Sequence, residues 1–168
     1  MIVNFHKVNL KKKYPLQISR GTHSKSKNLF VEIIKDGIAG WGESAPGKTE
    51  GASNADEVEK ELLKLIDTGI DSLSIYEIFE RSKEINIPPC AHAAIDIALW
   101  DWKAKKAGLP LNNLLGLPTS STPTSLTIGI NPPEIIKERV EMHLSNPQIK
   151  ALKIKLGSPD GIEHDKSI

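Results

Sequence analysis

The sequence predicts an α+β domain, with three antiparallel strands and then a block of helices, followed by the start of a β-α-β unit. Three observations carry this reading. Two β-rich runs flank Asp36-Gly37, a two-residue hairpin signal of the favoured turn type. Apolar residues then recur at helical spacing in successive segments that open on capping residues. Beyond a Ser/Thr/Pro stretch at 118–123, which reads as a linker, the pattern becomes strand, helix, strand. That order implies a parallel pair joined by a right-handed crossover.

The elements follow in chain order. Met1 to Leu10 reads as a first strand carrying Ile2, Phe5, Val8 and Leu10, although the alternation is imperfect. Tyr14 to Lys27, with Pro15, Gly21 and its hydroxyl residues, reads as a long polar loop with Arg20 near the middle. Asn28 to Lys35 is a strand of β-formers and Ile38 to Glu43 returns beside it, with Gly40 and Gly42 marking a bulge or a close backbone approach. Ser44 to Ser53 is a second loop. Asn54-Ala55-Asp56-Glu57 starts a helix with Val58, Leu62, Leu65 and Ile66 on one face, and Gly69 stops it. Ser74-x-x-Glu77 starts another. Pro88-Pro89 opens a third, with an apolar stripe of Ala91, Ala94, Ile95, Ala98, Leu99 and Trp102, ended by Gly108 and Pro110. Leu111 to Leu115 adds one helical turn. Past the linker, Thr124 to Ile130 is a strand, Asn131-Pro132 caps a helix faced by Ile135, Ile136, Val140 and Leu144, and Ile149 to Leu156 is the next strand.

Bulk properties exclude several classes of function. The formal charge is +1 in 168 residues, which gives no reason to expect nucleic acid or an anionic membrane as partner. Cys90 is the single cysteine, so an intramolecular disulfide is impossible, as suits a reducing compartment. The first ten residues lack the apolar core of a signal peptide, and no stretch reaches the length of a membrane span. The expected location is the cytoplasm.

The segment Ala151 to Gly157 is chemically the most informative. Apolar and cationic residues alternate strictly, so Lys153 and Lys155 share one side of a strand, roughly 7 Å apart along it. Ammonium groups that close repel each other, and a lysine whose charged form is penalised can take a proton near neutral pH. The alternative is an antiparallel strand whose wet face carries two solvated lysines. Asp96 and Asp101 lie five apart and share no helix face, so they read as hydrogen-bonding groups rather than a carboxylate pair. Glu163-His164-Asp165 looks ligand-like, but it sits in a polar tail and adjacent residues rarely chelate one ion. His92 reads as a packed or capping histidine, and Glu43 as a structural residue pinning the second loop.

The run Ala91-His92-Ala93-Ala94-Ile95-Asp96-Ile97-Ala98-Leu99-Trp100-Asp101, with Gly108-Leu109-Pro110-Leu111 and Leu114-Leu115-Gly116, resembles the helix signature of the mandelate racemase and muconate-lactonizing group of the enolase superfamily. Trp102 is a departure, since a smaller residue is usual there. Gly40-Trp41-Gly42-Glu43-Ser44-Ala45-Pro46 resembles the family's lead-in to its second capping-domain loop. A linker, a first barrel strand and a Lys-x-Lys second strand follow in the family's order. The resemblance implies a capping domain over 1–117 and, over 118–168, the first βαβ of an incomplete TIM-type barrel. Within the group, Leu16-Gln17-Ile18-Ser19-Arg20-Gly21-Thr22 is similar to the first capping loop of bacterial dipeptide epimerases, whose arginine faces the substrate's distal carboxylate.

The resemblance therefore implies a small-molecule substrate of the Ala-Glu dipeptide type and chemistry through an enolate. Lys155 would be the general base or acid at the substrate α-carbon, with Lys153 tuning it and polarising the carboxylate. Arg20 and Thr127 would contact substrate; as plain residues they would be a solvated arginine and an ordinary strand threonine. A possible homo-oligomer is left open. The family's magnesium ligands come from the third, fourth and fifth barrel strands, and the partner lysine of a two-base racemase from the sixth. A complete barrel takes about 250 residues, and this sequence ends as the second barrel helix begins. The expectation is an N-terminal fragment, inactive by itself, with no metal ligands among its residues and no specific magnesium binding. The alternatives are a muconate cycloisomerase or o-succinylbenzoate synthase relative, or a non-catalytic stand-alone domain that keeps the capping fold.

Overall fold

The computed structural model describes residues 1–119 and 123–168, so the linker expected over 118–123 falls partly outside the described residues. The chain divides into two compact units. One consists of Met1–Leu10 and Ser26–Thr119; the other consists of Lys11–Lys25 and the described part of Ser120–Ile168.

Strands β1 (Ile2–Ile18), β2 (Gly21–Lys35) and β3 (Ile38–Ser44) form a sheet in the order β1-β2-β3. β2 and β3 pair antiparallel from Leu29↔Ser44 to Lys35↔Ile38. Their turn has Asp36 at φ 55° and Gly37 at φ 74°, the left-handed pair that a two-residue hairpin of this twist requires. The polar loop expected over Tyr14 to Lys27 is instead the continuation of two strands, β1 running on to Ile18 and β2 starting at Gly21. Thr22 to Lys27 is exposed throughout, so no apolar alternation marks it; backbone pairing across a tight turn holds it. Pro15 is tolerated because β1 is an edge strand.

The helices of the first unit are α1 (Ala55–Asp67), α2 (Ile75–Glu84), α3 (Pro89–Ala107) and α4 (Leu111–Leu114). Asn54 caps α1 by accepting from the Glu57 amide at 2.9 Å, while the Glu57 carboxylate takes the Ser53 amide at 2.7 Å. Ser74 and Glu77 form a complete capping box on α2. Leu29, Val31 and Ile33 of β2, Val58, Leu62 and Leu65 of α1, Ile78 of α2, and Ala91, Ala94, Ile95, Ala98 and Leu99 of α3 make one buried core. Against β3 the small residues of α3 come to backbone distance. A Cβ on Gly42 would stand 2.8 Å from the Ala98 nitrogen, and one on Gly40 would stand 2.6 Å from the Trp102 Cβ. Trp102, the unusual large residue, is half-buried; its indole N–H donates to the Lys35 carbonyl at 2.8 Å and its ring lies under the Lys35 and Lys106 ammonium groups. α3 also covers the free edge of β3. The Asp101 carboxylate accepts the Trp41 amide at 2.8 Å and Lys105 donates to the Ala39 carbonyl at 3.1 Å, which blunts an otherwise open pairing edge.

In the second unit, β4 (Ser125–Ile128) and β5 (Ala151–Ile154) pair in parallel and α5 (Pro133–Leu144) connects them, the crossover that the sequence pattern predicts. A short helix, α6 (Ile162–Lys166), follows. Both strands are shorter than expected. Asn131 does not cap α5, which begins after Pro132; the Asn131 amide donates back to the Gly129 carbonyl at 2.9 Å. Ile154 lines a groove with Ile136 and Val140 of α5, so the apolar side of β5 faces the crossover helix. Among the described residues no helix is long and apolar enough to cross a membrane.

Candidate functional site

The candidate residues lie in the second unit, with Thr127, Lys153 and Lys155 at the carboxyl ends of β4 and β5 and Arg20 at the turn between β1 and β2. Parallel pairing sets Thr127 directly opposite Lys153, so the two share a face. Lys155 stands one residue beyond β5, and its amide still donates to the Ile128 carbonyl at 2.9 Å, which holds it in line with the strand. Alternation puts Lys155 on the same side as Lys153, with Lys153 exposed and Lys155 half-buried.

The tip of the β1–β2 hairpin is seated on these strand ends. The Ile130 amide donates to the Gln17 carbonyl at 2.9 Å. Gly129 lies flat under the same residue: a Cβ there would stand 2.9 Å from both the nitrogen and the carbonyl oxygen of Gln17. Gly157, two residues after Lys155, has φ +94°, and a Cβ on it would stand 3.3 Å from the Ser19 Cβ. Further along the hairpin, Tyr14 packs under the Arg139 guanidinium of α5, 4.6 Å from ring centroid to guanidinium carbon, and its hydroxyl donates to the Met142 sulfur at 3.6 Å. Arg20 follows Ser19 at the exposed turn. The two ends of the candidate set, the lysine strand and the arginine turn, are thus joined through Gly157 and Ser19. Among the described residues none of Lys153, Lys155 and Arg20 has a carboxylate within ion-pairing distance. Cations that are not directly ion-paired suit an anionic ligand.

Other singled-out residues are structural in their contacts. Glu43 accepts from the Asn28 side-chain amide at 2.6 Å across β2 and β3. The His92 Nδ1 lies 3.0 Å from the Ser82 hydroxyl, which itself donates to the Ile78 carbonyl, and the ring meets Phe79 edge-on. Burial pushes the His92 imidazole below its usual range, opposed by the nearby Asp96 carboxylate. Sequence reasoning missed the glycines at 129 and 157 as seats for the hairpin. Their only signal was position, just beyond two predicted barrel strands. Among the described residues no group of three or more His, Cys, Asp or Glu is placed to hold a metal ion.

Residues 2–116 match the family described as "Mandelate racemase / muconate lactonizing enzyme, N-terminal domain", and the chain belongs to that family. It is 56% identical over all 168 residues to a "Hydrophobic dipeptide epimerase" of Flavobacteria bacterium (strain MS024-2A), covering 48% of that protein. It is 47% identical over 168 residues to a protein of the same name from Roseobacter litoralis, again covering 48% of it. The chain thus spans about half the length of the curated relatives it matches. Among solved structures, the dipeptide epimerase of Enterococcus faecalis V583 complexed with Mg and L-Leu-L-Tyr matches with a TM-score of 0.86 at 30% identity, over 98% of this chain and 47% of that one. The L-Ala-D/L-Glu epimerase of Bacillus subtilis in a substrate-liganded complex matches with a TM-score of 0.85 at 26% identity, over 99% and 47% respectively. The meander and helices of the first unit are those of the family's capping domain.

Proposed function

We propose that this chain is the N-terminal part of a dipeptide epimerase. The observation that carries the reading is the 56% identity to a hydrophobic dipeptide epimerase, which extends through all 168 residues and so takes in the Lys153-Ile154-Lys155 strand. In this reading Lys155 faces the α-carbon of the substrate. Its neutral amine takes the α-proton, the C–H electron pair passes into the adjacent carboxylate as an enolate, and return of a proton on the opposite face inverts the centre. Lys153 lies beside it as the cation that polarises the carboxylate. Thr127, opposite Lys153, contacts the substrate backbone, and Arg20 supplies a guanidinium for a carboxylate. The group that returns the proton and the ligands for magnesium are supplied by residues outside this chain.

Two substrate classes divide the reading. The Arg20 loop favours a dipeptide with an acidic second residue. The names of the relatives at 56% and 47% identity favour apolar dipeptides. The test is a dipeptide library incubated with the full-length protein and magnesium in D2O, with deuterium incorporation and inversion at the α-carbon followed by NMR. Inversion of dipeptides of either class supports the proposal and decides between the two. Inversion of none, in a folded full-length protein, removes it.

A further inference from the structure

Two side chains of the Glu163-His164-Asp165 triplet of α6 reach the loops that carry the candidate site. The Asp165 carboxylate accepts the Gly157 amide at 2.8 Å through Oδ2 and the Ser158 amide at 3.2 Å through Oδ1. These are the second and third residues after Lys155. Ser158 is itself buried, and its hydroxyl exchanges bonds with the Asp160 amide and carboxylate at 3.2 Å each. The neighbouring His164 donates from Nε2 to the Asn131 carbonyl at 3.2 Å, and Asn131 in turn holds the Gly129 carbonyl. Gly129 and Gly157 are the glycines under the hairpin tip at Gln17 and Ser19. Consecutive residues of one short helix therefore fasten the loop after β4 and the loop after β5.

We propose that Asp165 is a positioning residue for Lys155. A carboxylate that accepts two successive amides fixes the plane of both peptides, and with it the direction in which the chain leaves Lys155. His164 fixes the companion loop, so the hairpin tip that bears Arg20 meets both lysines at a set distance. The inference rests on the dipeptide-epimerase reading for its kinetic consequence, but its structural half does not.

The test uses the full-length protein with three substitutions. Asp165→Ala removes both acceptors, Asp165→Asn keeps the shape and one of them, and Lys166→Ala is a control on the exposed Lys166–Glu163 pair of the same helix. Amide hydrogen exchange at Lys155, Gly157 and Ser158 should quicken at least tenfold in Asp165→Ala, less in Asp165→Asn, and not in Lys166→Ala. In steady state kcat should fall roughly 10- to 100-fold with KM within twofold, since a misplaced base weakens the chemical step more than binding. Unchanged exchange overturns the proposal whatever the enzyme does. A lower melting temperature with kcat unchanged, or with kcat and KM changed together, also overturns it, by reducing Asp165 to a purely structural residue. A wild-type protein that inverts no dipeptide removes the proposed function instead, and the exchange data then decide the brace alone. Should Asp165→Ala fail to fold, Asp165→Asn carries the same comparison.

Discussion

Gly42→Ala separates two opposite expectations for the centre of β3. Gly42 pairs with Val31 and its φ is not in the left-handed region, so alanine suits the backbone. Propensity alone makes the substitution stabilising by about 0.5–1 kcal/mol, because glycine loses more freedom on folding. The structure demands the reverse. An alanine Cβ would stand inside the contact radius of the Ala94 carbonyl oxygen, 2.8 Å from the Ala98 nitrogen and 3.0 Å from the Ala94 carbonyl carbon. All three are backbone atoms of α3, which cannot rotate away as a side-chain end could. Relief requires α3 to move off the sheet, away from Leu29, Val31 and Ile33, which are fully buried. Overpacking of this kind costs about 1–3 kcal/mol, and rigid backbone on both sides places it at the upper end. Set against the propensity gain, the net loss is about 2 kcal/mol, or a melting temperature lower by roughly 8–16 °C for a domain of about this size. Trp41, Trp100 and Trp102, the three tryptophans of the chain, all lie in this unit, so their fluorescence reports its unfolding. Thermal and urea melts of the two proteins decide the matter. A Gly42→Ala protein that melts at or above the wild type would refute the close approach of α3 to β3.

Three further outcomes follow from single groups. The His92 imidazole titrates lower in the folded chain because of burial, so folding favours its neutral form; this contribution is whole above the unfolded value of about 6.5 and is lost as the pH falls below it through the folded value. The urea midpoint of the wild type should thus drop on going from neutral pH to pH 5 more than that of His92→Gln, and equal drops would exclude His92 as the cause. Asp101→Ala strips the Trp41 amide of its acceptor and uncovers the β3 edge; it should cost about 1–2 kcal/mol and bring on concentration-dependent association in sedimentation, and a monomer of unchanged stability would contradict this. In the full-length protein Arg20→Met should weaken dipeptides with an acidic second residue by roughly 10- to 150-fold and neutral ones far less, and equal loss for both would remove Arg20 from specificity.

Local rules made most of the first unit legible. Asp36-Gly37 marked its hairpin, Ser74 and Glu77 their capping box, and the stripe on α3 its buried face, since each depends on neighbours within one turn or one strand pair. The extension of β1 and β2 was not legible. Thr22 to Lys27 offers polar residues to solvent on both sides, and the period that reveals a strand exists only where one side is buried. Asn131 misled for a related reason. It has the composition of a cap, but a side chain that bonds backward to Gly129 serves the preceding loop as well as it would serve a helix. Lys153 and Lys155 were legible as a pair on one face. The seating of the hairpin tip at Gln17 and Ser19 on Gly129 and Gly157 was not, because that tip comes from far up the chain.

The same device recurs at both joints of the molecule. In the first unit Gly40 and Gly42 admit the backbone of α3 to β3; in the second, Gly129 and Gly157 admit the hairpin tip to the ends of β4 and β5. A side chain at such a joint would act as a spacer with rotamers of its own, and the separation would vary with them. Backbone against backbone leaves no such freedom, and the added hydrogen bond from Ile130 to Gln17 fixes register as well as distance. For the core, that rigidity serves packing. At the strand ends it would serve geometry in the proposed function, where a proton transfer tolerates little error in where Lys155 stands relative to a ligand held by Arg20. The strand supplies the lysines and the hairpin supplies the arginine, and the close approaches at Gly129 and Gly157, with the hydrogen bond from Ile130 to Gln17, limit how far the two segments can shift against each other.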